Sequence, residues 1–194
     1  LNDATGGTIY IEEASDVQKC GTLIIDGLNG GSSVKVVGKE SYTLINESIL
    51  DGVVPKKIIL RPYAKLGLAF NGEYTLPPYE IDATSSVIVC PSCNLVLDKP
   101  LDFTLYLGEA GSTVTPGEAL NGELDLNSGV KLYVDNTATI NGSFRIKSGG
   151  TLTHFKNQAS RKMNLTITGD MTVEEGMSFF DGIPRIYRKL KTLY

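Results

Sequence analysis

Short runs in which apolar and polar residues alternate follow one another along this chain, and one stretch repeats with a fixed step. Residues 121–132 align with residues 141–152, which gives a period of about 20 residues. A looser third copy covers residues 165–173. Within each copy, apolar residues alternate with polar ones, a Ser-Gly or Gly-Asp corner follows, and alternation resumes. This pattern predicts a strand, a turn and a second strand.

The repeat predicts a fold that is built by stacking. A unit of two short strands cannot bury its apolar face alone, whereas stacked copies bury a continuous apolar column. Three apolar pairs fall within one period: Leu124 with Leu126, Leu132 with Val134, and Ala138 with Ile140. These pairs predict three faces per coil. We therefore expect an all-β fold, a right-handed parallel β-helix or β-solenoid with about 20 residues and three short strands per coil.

Alternation also marks most of the chain before the repeat. Candidate strands lie at residues 7–11, 21–25, 33–37, 42–45 and 87–107. Between Pro55 and Tyr79 the rhythm breaks, because each proline removes a backbone donor and favours bends or edge positions. We expect residues 52–82 to form a loop-rich excursion from a single β-solenoid domain that spans residues 1–182.

The C-terminal segment differs from the rest of the chain. From residue 183 to residue 194 the alternation stops, and Arg185, Arg188, Lys189 and Lys191 are interleaved with apolar residues. Because the open end of a solenoid must be covered, the first interpretation of residues 183–194 is a basic C-terminal cap or tail. A segment that docks on a membrane surface or on a partner protein is the second interpretation.

Composition and charge narrow the range of partners. The 194 residues include 21 glycines, and the formal net charge is −4 at pH 7. Phosphate binding needs clustered Lys and Arg, so we expect no nucleic-acid partner. No apolar run is long enough to span a bilayer, so we expect no transmembrane segment. The chain begins at Leu1 without a secretion signal, and we expect it to be part of a longer surface protein.

The three cysteines leave at least one thiol outside any intramolecular disulfide. The spacing Cys90-Pro91-Ser92-Cys93 is that of a redox motif or of half a zinc site. A zinc site needs a second pair, and Cys20 is the only other thiol. A redox motif needs a helix here, whereas apolar alternation on both sides predicts strands. The preferred interpretation is a turn between strands with buried or locally bridged thiols, and we expect no metal and no cofactor.

Two groups of side chains are candidates for ligand binding. In the Pro-rich segment, Arg61, Tyr63, Tyr74 and Tyr79 combine a cation with amphipathic rings on a predicted loop region, where binding sites are common. The alternative is a packed irregular region with ordinary surface tyrosines.

The second group lies in the repeat. Arg145 and Lys147 alternate with Phe144 and Ile146, so both should lie on the solvent face of one strand, where they could contact a sugar acid. The alternative is a solvated outer face on which Arg145 forms a cross-strand ion pair with Asp125.

The sequence resembles one class of known proteins in several places. Residues 149–154, Gly-Gly-Thr-Leu-Thr-His, and residues 165–176 resemble extracellular right-handed parallel β-helix surface proteins, among them adhesin-like and autotransporter-passenger-like proteins. The Gly-rich strands at residues 6–12 and 21–27 look like strands of the same proteins. The resemblance implies a secreted or cell-surface scaffold with no defined reaction.

Parallel β-helices also include polysaccharide lyases and hydrolases. Arg145-Ile146-Lys147 looks like the substrate-binding Arg-Ile-Lys of polygalacturonases, but the Asn-Thr-Asp, Asp-Asp and His-Gly elements of those enzymes are missing. The only histidine, His154, aligns with Val134 at an inward position and is interpreted as structural. We therefore expect a non-catalytic, adhesin-like scaffold that binds carbohydrate or a cell surface. A polysaccharide lyase or glycoside hydrolase of the β-helix type is the alternative.

Overall fold

The alternating runs fold into short strands. The computed structural model describes residues 8–11, 20–27, 42–107, 111–134, 137–154, 164–175, 178–179 and 185–187. Over these residues the protein is all-β apart from two short helices. The strands are β1 (Thr8–Ile11), β2 (Thr22–Ile25), β3 (Thr43–Ile45), β4 (Lys57–Leu60), β5 (Lys65–Leu68), β6 (Gly72–Thr75), β7 (Tyr79–Ile81), β8 (Ser86–Val89), β9 (Cys93–Leu97), β10 (Thr104–Leu107), β11 (Ser112–Pro116), β12 (Glu123–Leu126), β13 (Lys131–Val134), β14 (Thr137–Ile140), β15 (Ser143–Ile146), β16 (Thr151–His154), β17 (Asn164–Ile167), β18 (Met171–Val173), β19 (Ser178–Phe179) and β20 (Arg185–Tyr187).

These strands pair into sheets that are parallel, apart from the antiparallel pair β1 and β2. The β7 sheet has the order β1-β2-β4-β7, and the β8 sheet has the order β3-β5-β8-β10-β13-β16-β19. The β9 sheet has the order β6-β9-β11-β14-β17-β20, and the β12 sheet has the order β12-β15-β18. From β2 onward, consecutive strands belong to different sheets, so each sheet is assembled from distant parts of the sequence.

The repeat is visible in the register of the strands. Leu124 pairs with Phe144, its counterpart in the second copy, and β13 pairs with β16 at the same sequence offset. The period predicted over residues 121–152 is therefore confirmed. The Ser-Gly corners are also present, because Gly129 and Gly149 have φ angles of 77° and 81°. This left-handed conformation carries no steric cost for a residue without Cβ.

The third copy does not keep the sequence offset that relates the first two copies. Leu165 pairs with Ala138, so β17 continues β14 and not β15. Met171 of β18 pairs with Phe144, at a larger sequence offset than the one that relates the first two copies. More residues separate β16 from β17 than separate β13 from β14, and this difference accounts for the larger offset. Residues 155–163, between β16 and β17, lie outside the described residues.

Inward-facing apolar residues stack in register and form the core. One column of the β8 sheet consists of five buried residues, each paired with the next: Leu66, Val87, Leu105, Leu132 and Leu152. A strand of four residues places only two side chains inward, so it packs mainly on the strands before and after it in the sheet. Burial of apolar surface along such columns is the main stabilising contribution.

The segment 52–82 is the largest difference from the prediction. Instead of a loop-rich excursion it contains β4, β5, β6 and β7, and these strands pair in register with strands outside the segment. The prediction of an excursion was therefore wrong. The four prolines lie in the connections between strands, where no ladder donor is needed: Pro55, Pro62, Pro77 and Pro78.

The hydrogen-bonded ladder is interrupted between β7 and β12, at a place that we call the seam. Leu101 forms an isolated parallel bridge with Leu126, and its N–H donates to the Asp125 carbonyl at 2.8 Å. Tyr79 contacts Phe103 edge to face, with ring centroids 5.2 Å apart. Over the described residues, one bridge and side-chain contacts join the β7 sheet to the β12 sheet, in place of a strand.

The two short helices lie in connections between strands. Helix α1 (Glu47–Leu50) begins at Asn46, whose Oδ1 accepts a hydrogen bond from the Ile49 N–H at 2.8 Å and caps the helix. The Glu47 carboxylate accepts a hydrogen bond from the Asn71 N–H at 2.7 Å, which ties the helix to the corner before β6. The 3-10 helix Glu118–Leu120 precedes β12.

Part of the predicted basic tail is a strand. Ile186 of β20 pairs with Leu165 of β17, so the β9 sheet continues past residue 182, where the predicted solenoid domain ends. The candidate strand at residues 33–37 and the remainder of 183–194 lie outside the described residues.

We predict that Phe144→Ala lowers the free energy of unfolding by about 3–5 kcal/mol, because Phe144 is fully buried and its removal leaves a cavity. Arg145→Ala is the matched control on the same strand, where the side chain faces outward, and should cost no more than about 1 kcal/mol. Urea unfolding followed by circular dichroism measures both changes. Equal losses would contradict the inward and outward assignment of these neighbours.

Candidate functional site

Arg145 and Lys147 lie on the outer face of the β12 sheet within a ladder of ion pairs. The neighbouring Phe144 is fully buried, as the alternation predicted. The Arg145 guanidinium contacts the Glu123 carboxylate, and its Nε lies 3.8 Å from Asp125 Oδ1. Lys147 Nζ lies 2.9 Å from Asp125 Oδ2. The predicted cross-strand ion pair between Asp125 and Arg145 is confirmed.

This ladder changes what the two basic residues can do. The Asp125 side chain is only 18% exposed and faces both cations, so Asp125 and Glu123 together neutralise them from within the chain. A sugar acid that approached Arg145 or Lys147 would compete with these resident carboxylates. The arrangement therefore favours the interpretation as a solvated, ion-paired outer face.

Arg61 and Tyr63 lie together in the corner between β4 and β5. The Arg61 guanidinium lies 3.4 Å from Asp26 Oδ2, and both side chains are half-exposed. Tyr63 has a φ angle of 63° and is 56% exposed. Its N–H donates to Thr84 Oγ1 at 2.9 Å, which holds the backbone in this uncommon conformation. The corner thus carries an exposed tyrosine and a cation that is paired with Asp26.

Tyr74 lies on the inner side of β6. It pairs in register with the buried Leu95, and its ring stacks on Phe70 with centroids 4.0 Å apart. Its hydroxyl is buried without a hydrogen-bond partner among the described residues. Burial, with a smaller contribution from Cys93, raises the pKa of Tyr74 to about 12. Tyr74 is therefore a packing residue and presents no free ring to a ligand.

Tyr79 is half-buried at the seam. Its hydroxyl donates to Asp102 Oδ1 at 2.9 Å, and Lys99 Nζ lies 5.6 Å from the centre of its ring. Burial raises the pKa of Tyr79, and the hydrogen bond to Asp102 and the charge of that carboxylate raise it further. Residues of the chain itself thus engage the hydroxyl and one face of the ring.

The structure separates the predicted binding residues. Arg61 and Tyr63 share a corner, whereas Tyr74 belongs to the β9 sheet and Tyr79 to the β7 sheet. Over the part of the chain that the structure describes, no hydrogen bond or ring contact joins these three tyrosines. A polysaccharide-cleaving site in the Pro-rich segment would require such a convergence within one groove.

Sequence reasoning missed a surface on the outside of the β9 sheet. One column of outward residues runs in register across β9, β11, β14 and β17: Asn94, Thr113, Thr139 and Thr166. A second column lies beside it and contains Val96, Thr115, Asn141 and Thr168. We call these eight residues the threonine face. They range from half-exposed to exposed.

Hydrogen bonds between side chains link neighbouring strands of the threonine face. The Thr115 hydroxyl donates to Asn94 Oδ1 at 2.8 Å, and the Thr168 hydroxyl donates to Asn141 Oδ1 at 3.3 Å. The signal in the sequence is the Thr-x-Thr pattern at 113–115 and 166–168. That signal is weak on its own, because threonine is common on the solvent side of any strand.

A pair of stacked tyrosines on the outside of the β8 sheet was also missed. Tyr106 and Tyr133 pair in register, and their rings are nearly parallel with centroids 4.4 Å apart. The stack uses one face of each ring. These rings therefore support the sheet and leave less aromatic surface for a ligand than separate tyrosines would.

Cys90 and Cys93 flank the turn between β8 and β9, as predicted, and Cys93 is the first residue of β9. Cys93 is 1% exposed, and burial raises the pKa of its thiol to about 11. No disulfide joins Cys20, Cys90 and Cys93, all of which lie within the described residues. A buried thiol with a raised pKa is a poor nucleophile and a poor metal ligand.

Within the described ranges, no group of three or more His, Cys, Asp or Glu side chains is arranged to hold a metal ion. The same ranges contain no helix that is both long enough and apolar enough to cross a membrane. No protein family, curated protein or solved structure matches this chain.

Tyr74→Phe should leave the free energy of unfolding at pH 7 unchanged or raise it by up to about 1 kcal/mol, because the buried hydroxyl has no partner to lose. Burial raises the pKa of Tyr74 in the native protein to about 12, against 10.0 for an ordinary tyrosine. Between these values the unfolded chain releases the proton first, so the wild-type protein loses stability as pH rises. The free energy of unfolding, measured with urea at pH 9 and at about pH 12, should therefore fall by about 2 kcal/mol less for the variant than for the wild type. Equal alkaline losses would contradict the burial of this hydroxyl.

The Cys93 thiol should react with iodoacetamide at pH 8 roughly 100-fold more slowly in the native protein than in the same protein unfolded in urea. The expected cause is its low thiolate fraction together with its burial. Mass spectrometry of the labelled peptides measures this difference. Rapid labelling of native Cys93 would contradict the structural interpretation of the pair.

Proposed function

We propose that the protein is a segment of right-handed parallel β-helix in a secreted or cell-surface protein, where it acts as a non-catalytic, adhesin-like scaffold that binds carbohydrate or a cell surface. The observation that carries this proposal is the in-register parallel pairing of the β8 and β9 sheets, each of which extends over most of the described chain. Right-handed connection is the general rule for parallel strands of one sheet.

Parallel pairing in register gives such a scaffold its binding surfaces. Each outward residue lies beside the outward residue of the next strand, so a sheet presents continuous rows of side chains. The rows differ in chemistry: ion pairs cover the β12 sheet, stacked tyrosines lie on the β8 sheet, and hydroxyl and amide groups cover the β9 sheet. A rigid surface loses little conformational entropy when it binds.

Carbohydrate or a cell surface is the favoured ligand for two reasons. The exposed Tyr63 ring and the hydroxyl-rich threonine face offer the amphipathic and hydrogen-bonding groups that sugars require. The resemblance of residues 149–154 and 165–176 to extracellular β-helix proteins supports a surface location.

A non-catalytic role is favoured by how the acidic residues are used. Glycoside hydrolysis needs two carboxyl groups that face each other across a cleft of about 5–9.5 Å. Here Glu123 and Asp125 lie on one outer face and contact Arg145 and Lys147, and Asp26 contacts Arg61. These carboxylates neutralise neighbouring cations instead of opening toward a substrate.

The test is to incubate the purified chain with a panel of insoluble polysaccharides and with microbial and animal cells, and to quantify retained protein and released oligosaccharide. We expect retention on at least one surface without release of sugar. Released oligosaccharide would establish the alternative, a β-helix lyase or glycoside hydrolase. Absence of both retention and release would reduce the proposal to a structural scaffold.

A further inference from the structure

We propose that the threonine face binds the flat surface of an ordered, electrically neutral polysaccharide, with crystalline cellulose and crystalline chitin as its model ligands. This inference rests on the proposed function and adds the surface and the class of ligand. Three properties support it: the face has no ionisable side chain, its side chains are regularly spaced, and hydrogen bonds hold several of them in place.

The threonine face carries no ionisable side chain on any of its eight positions, from Asn94 to Thr168. At its edge, the Glu73 carboxylate accepts a hydrogen bond from Asn94 Nδ2 at 3.2 Å. The outer face of the β12 sheet is the opposite case, because Arg145 and Lys147 form ion pairs there with Glu123 and Asp125. A charged ligand on the threonine face would lose water without gaining a counter-ion, and this loss is costly. An uncharged ligand with hydroxyl or amide groups meets no such penalty, so the face is complementary to a neutral polymer.

The spacing of the face favours a repeating ligand. Neighbouring strands lie about 4.8 Å apart, and alternate residues along a strand lie about 6.6 Å apart, so the side chains other than Val96 form a regular grid of donors and acceptors. A single hydrogen bond contributes only about 1 kcal/mol, which is too little to hold one sugar unit. A polymer that repeats across several strands can make many such contacts at once, and its binding strengthens as they add up.

The side chains of the face are ordered before any ligand arrives. Threonine is branched at Cβ and has few rotamers to lose. The hydrogen bonds from Thr115 to Asn94 and from Thr168 to Asn141 fix two of the hydroxyls and both amides. Because these groups are already in place, a flat and rigid surface is a better ligand for them than a flexible soluble chain.

The test compares Thr139→Lys with Thr153→Lys. Thr139 lies near the centre of the face, between Thr113 and Thr166, whereas Thr153 pairs with Tyr133 on the β8 sheet. Thr139→Lys brings an unpaired charge into contact with the ligand, so we expect retention on crystalline cellulose or chitin to fall at least about 10-fold. Thr153→Lys should stay within about 2-fold of the wild type. Circular dichroism melting confirms that both variants are folded.

A milder variant keeps the test independent of folding. Thr139→Val preserves the shape of the side chain and removes one hydroxyl, and we expect a loss of about 3-fold to 10-fold in retention. Soluble, anionic polygalacturonate serves as the second ligand, and we expect little binding of any of the proteins to it.

Each remaining outcome overturns the inference and also reports on the proposed function. Equal retention of the wild type and Thr139→Lys would place binding elsewhere and leave the proposed function standing. Retention on cells alone, or preferential binding of polygalacturonate, would exclude a neutral fibre and likewise leave the proposed function standing. Absence of all retention would overturn the inference and reduce the proposed function to a structural scaffold. If the wild type inhibited ice recrystallisation and Thr139→Lys did not, the ligand of the threonine face would be the ordered water of an ice surface and not a polysaccharide.

Discussion

Each inward side chain of this protein packs on the inward side chain of the next strand in its sheet, and parallel pairing holds the two in register. The column from Leu66 to Leu152 shows the consequence, since five strands separated along the sequence contribute one residue each to a continuous apolar row. Short strands are sufficient because the contacts come from neighbours on both sides. A charged residue at one inward position would interrupt the row for every strand beside it.

The same register that builds the core also organises the outer surfaces. Because side chains alternate along a strand, every apolar column inside has a column of another kind outside. The chain uses these outer columns differently on different sheets, with ion pairs from Glu123 to Lys147, stacked rings at Tyr106 and Tyr133, and uncharged hydroxyl and amide groups on the threonine face. Segregation of charge away from one face gives the molecule sides with distinct chemistry.

The sequence was sufficient to predict the strands of residues 121–152 and their cross-strand ion pair, because the period, the apolar pairs and the Ser-Gly corners all agree there. It misled at residues 52–82, since a proline at a corner and a proline inside a strand look alike until the strand ends are known. It also could not show that Tyr74 packs inward. The threonine face was not predictable, because steps such as the one from Thr113 to Thr139 differ from the period of the clear repeat. A sequence pattern with one fixed period therefore does not include the threonine face.

The seam between β7 and β12 has a mechanical consequence. A pulling force directed across the strands, from β4 toward β15, is carried on one side of the molecule by the bridge of Leu101 and Leu126 and the side-chain contacts of Tyr79. The β8 and β9 sheets carry the same force through unbroken ladders. Load therefore concentrates in the two continuous sheets at this level, and the seam is the place where extension begins. Under tension the strands before it and the strands after it behave as two segments joined along one flank, and the contacts of Tyr79 with Asp102 and Phe103 are the first to part.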